Sequence, residues 1–322
     1  MKIFNSPYAN SRSVAELVIA EMVMLARQTG DRSMECHKGT WNKQSAGCYE
    51  IRGKTLGIIG YGHVGSQLSV LAEAMGMKVV FFDVVPKLSL GNATQVKTLD
   101  ALLEQSMFVS LHVPKLASTA NMLGAEQFEK MPKGSYMLNL SRGNVVDVDA
   151  LAASLKGGHL AGCAVDVYPS EPAGLVHDFK TPLQGCPNTI LSPHIGGSTE
   201  EAQSAIGKEV SSKLINYINN GNTTGSVNVP VVAPVARLRE GSTRVMSFHK
   251  NVPGVMRDMN DIMASANVTF QSLSTNEEIG YLIADVSSTI GKDLKEKLND
   301  MPATLRNYVL YSGQGYQGEY GE

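Results

Sequence analysis

The chain has 322 residues, 43% of them apolar, and carries 28 Lys and Arg against 30 Asp and Glu, for a formal net charge of −2. This length and apolar content suffice for two domains, each with its own hydrophobic core. The balanced charge excludes a global positive field of the kind that draws a protein to nucleic acid or to an anionic membrane, so a small molecule is the expected partner.

Cysteine usage and hydropathy indicate a cytoplasmic protein. The four cysteines are Cys36, Cys48, Cys163 and Cys186. Their scattered spacing is typical of reduced thiols and of neither a metal site nor a disulfide framework. No run of about 18 apolar residues occurs, and the start of the chain lacks a basic segment followed by an apolar one, so we expect neither a membrane span nor a signal peptide.

The first predicted element is a helix over residues 13–27, for which Ser11 or Ser13 is available as a cap. Short apolar runs and helical segments alternate after Arg52, a pattern typical of a doubly wound parallel α/β sheet. The six expected strands are residues 56–60, 79–83, 108–112, 136–140, 162–167 and 189–191. Their nearly continuous apolarity predicts burial on both faces of the sheet.

A long helix is predicted over residues 199–219, with a stripe of Ile206, Val210, Leu214 and Ile218 and a stop at Gly221. We therefore place a first domain at residues 1–221 and a linker at 222–240, where Gly and Pro residues leave no periodic pattern of apolar side chains.

A second domain is expected at residues 241–311. Its predicted strands are 244–249, 268–273, 279–286 and 305–311, and its predicted helices are 254–266 and 293–300. The order βαββαβ is the ferredoxin-like arrangement. The polar, Gly-rich tail at 312–322 is expected to be disordered.

The segment GYGHVG at residues 60–65 follows an apolar strand and opens a helix. Gly60 permits a tight turn, Gly62 lets the backbone approach a pyrophosphate, and Gly65 lets the helix pack closely on the strand. Asp83 ends the next strand and is placed to accept hydrogen bonds from the adenine ribose, which favours NAD over NADP. The pattern predicts a Rossmann-type dinucleotide site.

Three further side chains fall after strands, at the edge where open α/β sheets bind ligands. Arg142 can grip a carboxylate with two parallel hydrogen bonds. His194 and Glu171 form the kind of pair that serves general acid/base chemistry, because a carboxylate fixes the tautomer of the imidazole. Together the three predict proton transfer coupled to hydride transfer, although any one of them alone is compatible with a structural role.

The stretches GYGHVGSQL, LGNATQV, SRGNVVD, DVYPSEP and SPHIGGSTEEAQ resemble D-2-hydroxyacid dehydrogenases that carry a C-terminal regulatory ACT domain. The resemblance runs over nearly the whole chain. It implies NAD-dependent oxidation of a small 2-hydroxy acid, with 3-phospho-D-glycerate, the entry to L-serine biosynthesis, as the expected substrate. It also implies that Arg142 orients the substrate carboxylate, that His194 is the acid/base, and that Glu171 is its partner.

The resemblance implies further residues. The cofactor contacts, beyond the glycines and Asp83, are His63, Val64, Leu140, Ser141, Arg142, Asp166, His194, Ile195, Gly196 and Gly197. Trp41 is expected to pack into a neighbouring subunit of a homo-oligomer, and Lys43 to add positive charge near that subunit's phosphate site. In the ACT-like module, His249 and Asn251 are candidate ligands of serine as an effector, with Asn267 facing them.

Members of this family carry about a hundred or more residues ahead of the segment matching NSPYANSRSVAEL, so we expect this chain to lack part of a substrate domain. The helix stripe at Ile206–Ile218 would then be exposed. Two other functions stay open: oxidation of another 2-hydroxy acid, such as glycerate, lactate or 2-hydroxyglutarate, and a regulatory subunit that binds NAD and an amino acid without turnover.

Overall fold

The computed structural model describes residues 1–232, 237–287 and 291–311. The chain forms two compact units, one over Tyr8–Gln203 and one that joins Met1–Pro7 to the described part of Ser204–Glu322. The domain boundaries expected at residues 221 and 241 stay a prediction. The tail expected to be disordered, 312–322, lies outside the described residues.

The unit over Tyr8–Gln203 is built on a parallel sheet of seven strands. They are β1 (Thr55–Ile59), β2 (Lys78–Phe82), β3 (Thr94–Gln95), β4 (Phe108–Leu111), β5 (Tyr136–Asn139), β6 (Gly162–Val165) and β7 (Thr189–Leu191). Their order across the sheet is β3-β2-β1-β4-β5-β6-β7, which is doubly wound from β1. The predicted fold class is confirmed, but the expected count of six strands is wrong because it leaves out the two-residue edge strand β3.

Helices cover both faces of this sheet, as its apolar strands require. The helices of this unit are α1 (Ser11–Ala26), α2 (Thr29–His37), α3 (His63–Ala74), α4 (Leu99–Leu103), α5 (Ala125–Lys130), α6 (Val148–Lys156) and the start of α7 (Glu200–Asn220). Helix α2 buries none of its side chains and does not contribute to this cover. Helices α1 and α3 pack on one face around Met22, Leu56 and Phe81, and a second core on the other face surrounds Val109, Met137 and Leu151. Asn10, and neither predicted serine, occupies the N-cap position of α1.

The second unit contains an antiparallel sheet in the order β11-β8-β10-β9. Its elements are β8 (Ser242–Lys250), α8 (Val255–Met263), β9 (Val268–Thr275), β10 (Ile279–Ser287), α9 (Gly291–Asn299) and β11 (Thr304–Tyr311), which is the predicted βαββαβ order. Helix side chains such as Met259 and Leu294 pack with Leu282 on one face. On the other face, Phe248 and Tyr281 stack with ring centroids 4.0 Å apart.

The apolar stripe on α7 is open to solvent at two of its four residues. Leu214 is 41% exposed and Ile218 is 53% exposed, while Ile206 and Val210 are half-buried. In the residues that the structure describes, every helix is either too short or too polar to span a membrane.

Candidate active site

The glycine-rich loop joins β1 to α3, and two of its three glycines, Gly60 and Gly65, are required for steric reasons. Gly60 has a φ of +92°, and a Cβ there would lie 2.4 Å from the carbonyl oxygen of His112. A Cβ at Gly65 would lie 2.2 Å from the carbonyl oxygen of Gly60, so the helix packs too closely on the loop for any side chain. At Gly62, by contrast, a Cβ would meet nothing within 4 Å. The open side of the loop therefore lies at Gly62, beside the N-terminus of α3.

Asp83 follows β2 directly and its carboxylate reaches this loop. Its Oδ2 atom accepts the backbone N–H of Tyr61 at 2.9 Å, and its Oδ1 atom accepts the N–H of Val85 at 3.2 Å. Two backbone donors thus fix the orientation of the carboxylate beside the glycine-rich loop.

Arg142 lies in the loop after β5, whose shape is set by Asn139. The Asn139 Oδ1 atom accepts the backbone N–H of Ser141 at 3.1 Å, and its Nδ2 donates to the carbonyl oxygen of Arg142 at 3.0 Å. The next residue, Gly143, is pressed against the chain after β6: a Cβ there would lie 1.9 Å from the carbonyl carbon of Tyr168. The absence of a side chain at Gly143 lets the loops that carry Arg142 and Glu171 touch.

Glu171 and His194 form the predicted pair. The Nδ1 atom of His194 and the Oε2 atom of Glu171 are 2.7 Å apart, and Oε1 of Glu171 accepts the backbone N–H of Tyr168 at 2.9 Å. Partial burial raises the pKa of Glu171, but the hydrogen bonds from His194 and Tyr168 and the charges of His194 and Arg142 outweigh it, so the net pKa lies below its usual value. The imidazole side chain is 51% exposed, which leaves its Nε2 edge open to a ligand.

The backbone of His194 is held in the left-handed region, with φ of +56°. Such a conformation is uncommon for a residue with a side chain and persists where surrounding contacts fix it. Asp166, directly after β6, supplies those contacts. Its two carboxylate oxygens accept the N–H groups of Ile195 and Gly196, both at 2.8 Å, and the hydroxyl of Ser192 at 2.6 Å.

Sequence reasoning did not single out Asn139, Gly143 or Glu21. Glu21 falls on the buried stripe of α1, and a carboxylate among apolar side chains at helical spacing is a detectable signal. It is 2% exposed, and its Oε2 meets no hydrogen-bond partner among the described residues. Burial, followed by the nearby charge of Asp166, raises the pKa of Glu21 to about 8. Glu21 is therefore a buried acid that keeps its proton at neutral pH, close enough to Asp166 to be affected by its charge.

The structure brings together the predicted site residues of the first unit at the carboxyl edge of the sheet. His63 and Val64 begin α3, Leu140 and Ser141 precede Arg142, and Gly197 follows the segment held by Asp166. Trp41, 85% exposed, and Lys43, also exposed, lie in the segment after α2. Their expected role at a subunit interface stays a prediction.

The candidate effector residues of the second unit do not meet within one chain. His249 pairs with Gly280 across β8 and β10, whereas Val268, next to Asn267, pairs with Val286 at the other end of β10. Six residues of strand separate these positions by about 20 Å. Asn267 could face His249 only from a second copy of the chain.

His249 itself has features of a ligand-binding residue. It is 2% exposed, its Nδ1 atom meets no partner among the described residues, and a Cβ at Gly280 would lie 2.1 Å from its Nε2. Burial lowers the pKa of His249, and a backbone hydrogen bond at Ser247 partly opposes that shift. The Asn251 side chain next to it donates to the carbonyl oxygen of Asn276 at 2.7 Å.

Known proteins that are similar in sequence to this chain are dehydrogenases, as the geometry of the site indicates. Residues 19–196 match the family model described as D-isomer specific 2-hydroxyacid dehydrogenase, NAD binding domain. A D-3-phosphoglycerate dehydrogenase of Dictyostelium discoideum is 54% identical over 310 residues, which cover 96% of this chain and 75% of that protein. A protein of the same name from Escherichia coli K12 is 48% identical over 316 residues, covering 96% and 76%.

A solved structure of a D-isomer specific 2-hydroxyacid dehydrogenase from Lactobacillus delbrueckii, in an NAD-complexed form, is similar in fold. It has a TM-score of 0.65 and 29% identity, and the match covers 71% of this chain and 72% of that one. The doubly wound sheet, the open glycine-rich loop and the His194 and Glu171 pair define an NAD-dependent dehydrogenase. The chain belongs to the D-isomer-specific 2-hydroxyacid dehydrogenase family.

Proposed function

We propose that this chain carries the site for NAD-dependent oxidation of 3-phospho-D-glycerate to 3-phosphohydroxypyruvate, the first step of L-serine biosynthesis. The observation that carries the proposal is the hydrogen bond between His194 Nδ1 and Glu171 Oε2. The loop that carries Glu171 also touches the loop that carries Arg142. The relatives at 54% and 48% identity are D-3-phosphoglycerate dehydrogenases, which supports 3-phosphoglycerate as the substrate.

The residues of the glycine-rich loop fit NAD. Open space at Gly62 beside the N-terminus of α3 offers unpaired N–H groups to a pyrophosphate, and the fixed carboxylate of Asp83 suits ribose hydroxyls while repelling a 2′-phosphate. When bound, NAD supplies the acceptor for the hydride that leaves C2 of the substrate. Asp166 and the residues from Ile195 to Gly197 would lie beside the nicotinamide end.

His194 takes the hydroxyl proton of the substrate on Nε2 as the hydride leaves. Because Nδ1 is hydrogen-bonded to Glu171, the proton on the ring sits on Nδ1 and Nε2 presents its lone pair. The ionised carboxylate of Glu171 then stabilises the imidazolium that forms. A positioned group of this kind contributes about 10²–10⁴ to the rate.

Arg142 binds the substrate carboxylate and orients C2. Its guanidinium is exposed and anchored through Nη1 to the carbonyl oxygen of Ser141 at 2.5 Å, which leaves other N–H groups for a bidentate contact. The close approach of Gly143 to the backbone of Tyr168 holds the loop of Arg142 against the loop of Glu171, which supports a position near the reacting carbon.

The test is a set of matched assays of the purified chain with NAD and one D-2-hydroxy acid at a time, following reduced NAD by absorbance. The proposal expects the largest kcat/KM with 3-phosphoglycerate, ahead of glycerate, lactate and 2-hydroxyglutarate. A higher kcat/KM with any of those three would replace the proposed substrate. NAD binding without turnover of any of the four would favour the regulatory subunit instead.

A second proposed function is serine sensing in the second unit. It is favoured by the buried side chain of His249, whose Nδ1 atom has no hydrogen-bond partner among the described residues. Asn251, two residues further along the chain, is the second candidate ligand. Since Asn267 can join them only from a second copy, the proposal includes homo-oligomers. Calorimetry with serine tests it: binding that is weakened in Asn251→Ala supports the proposal, and no binding by the wild-type chain contradicts it.

The proposal also includes a contact between subunits and a location in the cytoplasm. The exposed indole of Trp41 supports packing into a neighbouring subunit, and Lys43 would then add charge near that subunit's substrate phosphate. The four free thiols support a cytoplasmic location.

A further inference from the structure

Tyr8 is the first residue of the unit that contains the glycine-rich loop, and its ring stacks on a residue of that loop, His63. The ring centroids of Tyr8 and His63 are 3.6 Å apart, with the planes inclined by 32°. His63 is the first residue of α3, so the phenol lies over the N-terminus of this helix. The carbonyl oxygen of Tyr8 accepts the backbone N–H of Ser11 at 3.1 Å, which forms the turn that leads into α1.

The other side of the same turn touches the loop of His194. The Nδ2 atom of Asn10 lies 2.5 Å from the position that a Cβ at Gly197 would take. The hydroxyls of Ser13 and Thr199 lie 2.9 Å apart and hold the start of α1 to the same segment. Tyr8 contacts the glycine-rich loop and Asn10 contacts the His194 loop. Because two residues of chain span at most about 7 Å, these two contacts lie close together.

The two bridged loops are those that, under the proposed function, hold the pyrophosphate and the nicotinamide end of NAD. A pyrophosphate carries two negative charges, whereas a helix N-terminus supplies the equivalent of about half a positive charge. The loop GYGHVG contains neither Lys nor Arg. Further hydrogen-bond donors would strengthen pyrophosphate binding here, and the hydroxyl of Tyr8, whose side chain is 54% exposed and stacked on His63, is one such donor.

We propose that the hydroxyl of Tyr8 donates a hydrogen bond to the pyrophosphate of bound NAD, with its ring held in place by the stack on His63. This inference rests on the proposed function. It adds a cofactor residue that lies outside residues 19–196, the part of the chain matched by the family model.

The test is calorimetry of the full chain with NAD, with ADP-ribose, which contains the pyrophosphate, and with adenosine, which contains no phosphate. Tyr8→Phe keeps the ring and removes only the hydroxyl. Tyr49→Phe is the matched control, because Tyr49 is a similarly exposed tyrosine, located ahead of β1 at the opposite edge of the sheet. Thermal unfolding without ligand checks that the variants fold alike.

We expect Tyr8→Phe to weaken NAD and ADP-ribose by roughly tenfold, the effect of one hydrogen bond to a charged group, and to leave adenosine unchanged. Tyr49→Phe should match the wild type with all three. Wild-type affinity of Tyr8→Phe for NAD, or an equal loss for adenosine, overturns the inference and leaves the proposed function standing. Failure of the wild-type chain to bind NAD overturns both.

Discussion

Glu171 holds His194 from one side of the site: Oε2 of the carboxylate lies 2.7 Å from Nδ1 of the imidazole, while Oε1 is occupied by the backbone N–H of Tyr168. Both carboxylate oxygens of Glu171 therefore take part in a hydrogen bond. The carboxylate fixes the proton of the neutral ring on Nδ1 and leaves Nε2 as the basic atom.

Replacement of Glu171 by Gln should lower kcat. In glutamine an NH2 group replaces one of the two carboxylate oxygens, so a donor would face either His194 Nδ1 or the N–H of Tyr168, and the charge that stabilises the imidazolium is lost. Loss of one hydrogen bond to a charged group corresponds to roughly a ten- to hundredfold slower reaction. Steady-state kinetics with saturating NAD measure this, and an unchanged kcat would show that the pair is not catalytic.

Gly143→Ala should separate the loops of Arg142 and Glu171. The new Cβ would lie 1.9 Å from backbone of Tyr168, which cannot move without shifting Glu171. We expect a loss of stability of about 1–3 kcal/mol, as for overpacked sites, together with a higher KM and lower kcat. Gly124→Ala is the control, since its Cβ would meet only Gln127 Oε1 at 3.6 Å. Chemical denaturation and kinetics that do not distinguish the two variants would contradict the described loop contact.

Asp83→Ala should weaken NAD by roughly tenfold and raise the preference for NADP relative to NAD, because a ribose acceptor and the repulsion of a 2′-phosphate are lost together. Titration with both cofactors measures the ratio of their dissociation constants. Asp149→Ala, which removes an exposed carboxylate from α6, should leave that ratio unchanged. A wild-type ratio in Asp83→Ala would mean that Asp83 does not contact the ribose.

Glu21 makes the stability of the fold dependent on pH. Its pKa rises from 4.5 to about 8 on folding, so between these values the native state keeps a proton that the unfolded state has released. The free energy of unfolding therefore falls as pH rises through this range, by on the order of a few kcal/mol from this group. Glu21→Gln, which stays neutral, should remove that part of the decline.

Denaturant unfolding at pH 5 and pH 8 tests the effect of Glu21. Relative to wild type, Glu21→Gln should gain stability at the higher pH, whereas Glu16→Gln, a change at an exposed position of the same helix, should not. Parallel pH profiles for wild type and Glu21→Gln would show that Glu21 is not a neutral buried acid.

The sequence predicted the features whose physical requirement is local. Gly60 is required by its own φ of +92°, Gly65 is required by the carbonyl oxygen of Gly60 five residues earlier, and the strands are identified by continuous apolarity because they are buried on both faces. Helix α2 was not predicted, since Thr29–His37 buries none of its side chains and so carries no apolar period. Strand β3 has two residues, too few for any pattern.

The site residues, too, were predicted where the signal lies in the local sequence and missed where it depends on distant contacts. Arg142, Glu171 and His194 were predictable because polar side chains after parallel strands meet at one edge of the sheet. The support of His194 by Asp166, and the contact of Gly143 with Tyr168, join segments more than 20 residues apart. Such contacts depend on tertiary packing, and only the structure identifies them.

Isotope transfer tests the central claim most directly. The chain would be incubated with NAD and 3-phosphoglycerate carrying deuterium at C2, and the reduced cofactor examined by NMR. The proposed mechanism predicts deuterium at C4 of the nicotinamide for the wild type, and formation of that product slowed by about 10²–10⁴ in His194→Ala with little change in NAD affinity. Reduced NAD without deuterium, or a wild-type rate in His194→Ala, would contradict it.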